Sequence, residues 1–498
     1  MFITISYRLL FTLICAWGFL LPLQAQPQPL DEAYFPFLLK DSTRIFSLSE
    51  TISKSVEASY VMTSKINGNH KKHFNAIKEN ASEEVADIVK YTALLDEVVD
   101  PFLQNTLRRL QASNPEAKNC RLIVTRSYID NAFATGDGTI FINAGLVRTL
   151  KNEDQLAFVV AHELAHNVLN HVQKNLSNYL GSLYNKDLQA EYNKIIKNGY
   201  NKNKRIKALL MKVSVNNLYH QRHQESAADS MAFHMIKSAG FNPAEAYNAL
   251  KTFDHSGSLG HDIFERQASF FACKENWQSN QNTEGSTSIF NVKKEVDNSD
   301  SLKTHPDCKI RMAAIRKLLI GIGQDTMQSL AANPDDTFQK VNRAAGYESI
   351  QAMFDYEYFD KSLYNSLCQL QSEPQSKYLR SVAILSLLQL KSYLQRHRYS
   401  EAVSNISDYN PQELNKFLQF LNALNLSDFK ALKESFDKLY PGTASKDEFS
   451  LMATFAGAHL TGYSPGANSL AAEYKRMYPS GRFTTLLQQL NYIKTKKK

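Results

Sequence analysis

The chain has 498 residues, of which 43% are hydrophobic and 21% are charged, so it is long enough for two or three domains with sizeable apolar cores. Its formal net charge is +8, carried by lysines and arginines that are scattered along the chain. This distribution argues against a nucleic-acid-binding protein and favours an ordinary solvated, lysine-rich surface.

The N-terminus predicts a secretory signal peptide over residues 1–25. Arg8 precedes an apolar run from Leu9 to Leu23, and the small residue Ala25 offers a cleavage site. An uncleaved anchor is the alternative, but the run is shorter than the roughly 20 residues that span a bilayer. No later stretch resembles a membrane span, so we expect an exported chain without one, periplasmic or envelope-associated in a bacterium or otherwise secreted.

Signal removal would also take away Cys15 and leave four cysteines: Cys120, Cys273, Cys308 and Cys368. An exported compartment permits disulfides, and four cysteines allow three pairings that the sequence does not distinguish. None of the four is in a CxxC spacing, so they are not expected to form a zinc cluster.

Residues 30–115 are predicted to be mostly helical, because apolar residues recur every three or four positions and the pattern breaks before Pro101. Two strands follow, at residues 120–128 and 139–145, with the turn-rich piece NAFATGDG between them. We expect the pair to form a small antiparallel sheet beside the next helix. Its edge would hold an extended substrate, as in zinc proteases, or the pair would be a plain hairpin packed on the helix.

The motif HELAH carries the strongest chemical signal in the chain. His162 and His166 are four residues apart, so both imidazoles leave the same face of a helix, and Glu163 lies between them. This HExxH pattern is typical of a zinc site in which the histidines bind the ion and the glutamate is the general base. Asn152 predicts the N-cap of this helix, with Gln155 as its partner. The alternative, two ordinary histidines on a partly buried helix, does not explain this context.

The metal helix is expected to run on past His171 into QKNLSNYLGSLY. Residues 172–215 are expected to be helical with interruptions and to form a mobile cover or a solvated insertion. The next helix is predicted to end at Gly240 and to carry Glu225 and Asp229 one turn apart. Glu225 is the candidate third ligand, and Asp229 is placed to accept the spare N–H of a zinc-bound histidine. Three nearby histidines compete for the ligand position: His220, His223 and His234.

Residues 276–304 are predicted to form a polar loop, followed by His305 as a loop residue and by a helix that carries Arg311. From about residue 340, amphipathic helices follow one another to the end of the chain. They fit a TPR-like array or an irregular helical domain, since no clean repeat is visible. The predicted divisions are a signal peptide (1–25), a zinc metallopeptidase domain (26–335) and a helical C-terminal domain (340–498).

The segment NAFATGDGTIFINAGLVRTLKNEDQLAFVVAHELAHNVLNH resembles the core of the zinc endopeptidase family M48, and RHQESAAD and HPDCKIR resemble two later segments of that family. With its signal peptide and helical C-terminal region, the chain is most similar to the periplasmic BepA type. The resemblance implies a mainly α protein: an α+β zincin-like catalytic domain, with a small antiparallel sheet packed on the HExxH helix, and then TPR-like helices.

The resemblance also implies roles for individual residues. One zinc ion per chain would be held by His162, His166 and Glu225, with Asp229 behind the ligands. Glu163 would be the catalytic base, His305 would lie near the zinc or the substrate oxyanion, and Arg311 would support the cleft. Substrate would lie along four consecutive residues: Asn131, Ala132, Phe133 and Ala134.

The predicted function is therefore that of an exported zinc-dependent metalloendopeptidase acting on protein substrates in envelope quality control. Envelope-assembly partners would bind its C-terminal helices. The alternative is a chaperone-like or scaffold protein that binds client chains through the helical domain and has latent protease activity.

Overall fold

The computed structural model describes residues 36–37, 42–61, 68–183, 223–255, 263–272, 274, 308–323, 336–407, 410–442 and 447–490. The expected signal peptide, residues 184–215 of the expected insertion, the polar loop at 276–304 and His305 lie outside these ranges. Within the described ranges, no helix combines the length and the apolarity needed to cross a membrane. Cys120, Cys308 and Cys368 are free thiols.

Three α-helices of the described part precede the sheet, in agreement with the predicted helical N-terminal part: α1 (Ser42–Ser59), α2 (Gly68–Thr92) and α3 (Val99–Ser113). The break between α2 and α3 comes before Pro101, as predicted. The Asp96 carboxylate accepts the backbone N–H groups of Val98, Val99 and Asp100 and so starts α3. Pro101 then falls in the first turn, where its missing N–H costs no helical hydrogen bond.

Among the residues that the structure describes, the sheet has three strands in the order β1-β3-β2: β1 (Arg121–Thr125), β2 (Ala132–Ala134) and β3 (Thr139–Asn143). β1 and β3 are parallel, whereas β2 is antiparallel to β3. The predicted antiparallel pairing of the two longer strands is therefore wrong, and the sheet is mixed.

The error has a physical cause in the turn-rich piece, which contains a strand of its own. The tight turn joins β2 to β3: the Thr135 N–H donates to the Thr139 carbonyl at 2.8 Å, and Gly138 has a φ of +89°, which favours glycine. Because β2 lies between β1 and β3 in the chain, the chain reverses direction twice, and β1 and β3 therefore run parallel. The short strand β2 is left at the edge of the sheet.

The described ranges up to residue 323 contain the further helices α4 (Ala144–Thr149), α5 (Glu153–Val168), α6 (His171–Leu183), α7 (223–238), α8 (Ala244–His255), α9 (Ile263–Arg266), α10 (Ala268–Phe271) and α11 (Cys308–Gly321). The predicted cap of α5 is confirmed, because the Asn152 Oδ1 accepts the Gln155 N–H at 2.9 Å. The α7 helix ends just before Gly240, whose φ of +77° is the left-handed conformation expected after a helix end.

The metal helix does not run on past His171, and that expectation is wrong. α5 ends at Val168, and Asn170 adopts a left-handed φ of 55° before α6 begins. Asparagine tolerates this conformation better than most residues, so the sequence allows a break that apolar periodicity does not reveal. α5 itself is buried on every side from Gln155 to Ala165, which makes it the central helix of the peptidase part.

The C-terminal region is helical, as predicted, with α12 (Asp336–Asp355), α13 (Phe359–Leu370), α14 (Lys377–Gln395), α15 (Tyr399–Ala402), α16 (Gln412–Asn422), α17 (Asp428–Leu439), α18 (Glu448–Leu460), α19 (Ser464–Met477) and α20 (Thr484–Gln489). The nearly buried α14 packs against both α13 and α18. A TPR-like relationship among these helices stays a prediction.

One apolar core extends from α3 through the C-terminal helices. α12 packs on α4, and the Asn342 side-chain amide donates to the carbonyls of Val147, Arg148 and Leu150 at 2.9–3.0 Å. Next to this contact, the Arg126 Nε donates to the fully buried Glu348 Oε2 at 2.7 Å. The predicted division near residue 335 stays a prediction, but the helices on its two sides share one core.

Gly145→Ala should destabilise the chain that leads into β2. A Cβ at this position would lie 2.2 Å from the Tyr128 carbonyl oxygen, so the backbone must move. We expect a loss of about 1–3 kcal/mol in the free energy of unfolding, seen as a lower thermal midpoint. Gly321→Ala is the control, because a Cβ there meets nothing within 4 Å. Equal midpoints for the two variants would contradict the prediction.

Glu348→Gln should destabilise the junction between the peptidase part and the helices by about 3 kcal/mol, because it removes the nearer carboxylate from the largely buried Arg126 charge and leaves the more distant Asp355, at 3.7 Å. The matched control is Glu401→Gln, which removes an exposed pair with Arg398 and should cost less than about 1 kcal/mol. Urea unfolding of both variants measures the difference. A Glu348→Gln variant as stable as the Glu401→Gln control would show that the buried pair contributes no net stability.

Candidate metal centre

Two helices bring three potential metal ligands together. His162 and His166 lie on α5 and Glu225 lies on α7, and one ligand atom from each lies within 4.8 Å of the other two. The two histidine Nε2 atoms are 3.0 Å apart, and the Glu225 carboxylate oxygens lie 3.4 Å from each of them. His162 and Glu225 are buried, whereas the His166 side chain is 14% exposed, so the cluster is approached from the His166 side.

These donors fit a zinc ion in number, type and spacing. Catalytic zinc sites use three protein ligands of nitrogen and carboxylate oxygen and keep a fourth position open. Bond lengths of about 2.0–2.2 Å in a tetrahedral arrangement separate neighbouring ligand atoms by roughly 3.3 Å. The observed separations of 3.0 and 3.4 Å lie close to that value.

A buried carboxylate, Asp229, lies on the far side of His162 from the cluster and pairs with a buried guanidinium, Arg311. The Asp229 Oδ1 lies 3.0 Å from the His162 Nδ1, and the Arg311 Nε and Nη2 each donate to an Asp229 oxygen at 2.7 Å. Arg311 also lies 3.5 Å from the Glu225 carboxylate. This chain of contacts turns the His162 Nε2 towards the cluster, since a carboxylate that faces Nδ1 fixes the tautomer and the ring orientation.

Neighbouring charges and hydrogen bonds set the pKa values of Asp229 and His162. Burial raises the pKa of Asp229, but Arg311 and His162 outweigh it and hold that pKa well below its usual range. Burial lowers the pKa of His162, and its hydrogen bonds to Asp229 and Glu225 outweigh this effect and raise the pKa to about 9. Metal binding must therefore displace a proton from His162, because ligating histidines are neutral.

A third histidine lies behind His166, and the sequence reasoning missed it. The His171 side chain is buried, and its Nδ1 lies 3.0 Å from the His166 Nδ1. Burial, followed by the neighbouring His166, lowers the pKa of His171 to about 4, which keeps its ring neutral. Residues five apart on one helix do not face each other, so only the helix break at Asn170 could have revealed this contact.

The other predicted residues fall in different places. Glu163 is buried on α5, directly after His162. The proposed substrate residues form or adjoin the edge strand β2, which packs against α5, and the Phe133 ring stacks on Phe141 with centroids 4.8 Å apart. Among the described residues, Glu225 rather than His223 or His234 joins the cluster. His305 and His220 lie outside the part that the structure describes.

Comparison with known proteins agrees with this geometry. Residues 95–319 match the sequence model of peptidase family M48, and this segment contains every residue of the cluster together with Asp229 and Arg311. No curated protein matches the chain. The segment 95–319 is therefore a domain of peptidase family M48, a family of metallopeptidases.

Proposed function

We propose that this protein is a zinc-dependent metalloendopeptidase that hydrolyses peptide bonds of protein substrates. The observation that carries the proposal is the convergence of His162, His166 and Glu225 on one point inside a family M48 domain. His162, His166 and Glu225 would hold the ion. Zinc, when bound, supplies Lewis-acid chemistry: it acidifies water and stabilises negative charge that develops on oxygen.

Glu163 is the proposed general base. It follows His162 on α5, and its burial shields the side chain from bulk solvent. In the proposed reaction Glu163 takes a proton from the attacking water and later delivers a proton to the leaving amine. Asp229 and Arg311 hold His162 in position and do not touch the substrate in this scheme.

The substrate would bind along β2. In the described sheet this strand pairs only with β3, so its outer edge can accept an extended peptide through main-chain hydrogen bonds. Asn131, Ala132, Phe133 and Ala134 would provide this edge. We also propose that His305 stabilises the substrate oxyanion.

Export and a role in envelope protein quality control are part of the proposal. Export is supported by the apolar run from Leu9 to Leu23 that follows Arg8. The helical region would engage substrates or envelope-assembly partners. Because it shares a core with the peptidase part, point variants of the intact chain test its role better than a truncation, which would expose that core.

Glu163→Gln should keep the bound zinc and lower kcat by about 10²–10⁴-fold, because the amide cannot take the proton. Cleavage of a quenched fluorescent peptide library, measured beside metal content, tests this expectation. Glu153→Gln is the matched control on the same helix, since at the start of α5 it changes a partly exposed pair with Arg109 and a 3.4 Å contact with the Thr106 hydroxyl. Wild-type turnover by Glu163→Gln would show that another group is the base.

Glu225→Ala should remove zinc that the wild-type chain retains at about one ion per molecule, as measured by elemental analysis. Asp229→Asn should retain the site but weaken zinc binding by about 10–100-fold, because an amide orients the His162 ring less firmly. His234→Ala changes an exposed residue of α7 and should leave zinc binding unchanged. Full zinc retention by Glu225→Ala would exclude this residue as the third ligand.

A further inference from the structure

We propose that His171 is a positioning residue for His166: its Nδ1 accepts the His166 Nδ1 proton and so presents the His166 Nε2 lone pair to the metal. The inference rests on the proposed zinc-dependent function. Nothing in the sequence pattern of the HExxH motif assigns this role, because His171 lies beyond the helix that carries the motif.

The atoms are placed for this exchange. The His166 Nε2 lies 3.0 Å from the His162 Nε2 and therefore faces the ligand cluster. Its other nitrogen, Nδ1, lies 3.0 Å from the His171 Nδ1. The two rings meet edge-on, with centroids 4.9 Å apart and planes at 78°. A neutral His166 that offers Nε2 to a metal carries its proton on Nδ1, so His171 must accept at Nδ1 and carry its own proton on Nε2.

The backbone is shaped to bring the two rings together. On an uninterrupted helix, residues five apart point about 140° away from each other. Here α5 ends at Val168, and the left-handed Asn170, with a φ of 55°, redirects the chain before α6 begins at His171. The His171 side chain turns back into the protein and is only 4% exposed.

The two histidine ligands are thus supported by different acceptors. His162 faces the carboxylate of Asp229, which is itself held by Arg311. His166 faces a neutral imidazole. A neutral acceptor fixes the ring without bringing another negative charge beside Glu225, which already lies 3.4 Å from the His166 Nε2.

The test compares His171→Asn with His171→Leu, two side chains of similar shape. The Asn Oδ1 is as many bonds from the backbone as the His Nδ1 and keeps an acceptor there, whereas leucine has none. We expect His171→Leu to weaken zinc binding about 10–100-fold, the range found when the group behind a ligating histidine is lost. His171→Asn should restore most of that affinity.

Zinc affinity is measured by competition with a chromophoric chelator, and the absorption of the cobalt-substituted protein reports whether the ligand geometry changes. His234→Leu on α7 is the control for loss of a histidine away from the cluster. The melting temperature of the apoprotein reports folding, and His171→Ala replaces His171→Leu if the latter lowers that temperature. Equal affinity in wild type and His171→Leu overturns this inference alone, as does an equal loss in His171→Leu and His171→Asn. A wild-type chain that binds no zinc overturns the proposed function, and this inference with it.

Discussion

The buried ion pair between Arg311 and Asp229 is the interaction on which the candidate metal centre depends. Asp229 is 1% exposed and could not remain ionised there without the two 2.7 Å hydrogen bonds from Arg311. Its ionised carboxylate in turn orients His162, so helix α11 controls a ligand on α5 through α7. The centre is therefore a product of three helices packed together, and the ligand positions are fixed by groups that would not touch the metal.

Packing outside the centre also fixes the ligand positions. α5 is buried on all sides, so the sheet, α3 and α8 fix its rotation and with it the direction of both histidines. The C-terminal helices add to this frame, because α12 packs on α4 and Glu348 pairs with Arg126 immediately after β1. Since β1 leads into the segment that ends in β2, the helical region supports the proposed substrate edge through continuous packing.

Local patterns in the sequence predicted the features that depend on neighbouring residues. The Asn152 cap, the left-handed Gly240 and the shared face of His162 and His166 all follow from contacts within one helix or turn. The predicted antiparallel pairing of β1 with β3 was wrong, because the relative direction of these two strands depends on whether another strand lies between them in the chain. β2 has three residues, too few to show a strand periodicity, yet it takes the antiparallel position beside β3, and β1 pairs parallel on the other side.

By itself, the sequence determined the HExxH spacing, which places His162 and His166 on one face of a helix, and the helical character of both halves of the chain. It offered Glu225 only as a candidate for the third position. Tertiary structure alone decided that Glu225 rather than His223 or His234 joins the cluster, and that His171 lies behind His166. The physical reason is the distance along the chain between the residues that interact. Helix periodicity fixes partners within a turn, whereas the approach of α7 to α5 and the reversal at Asn170 depend on how whole elements bury their apolar faces.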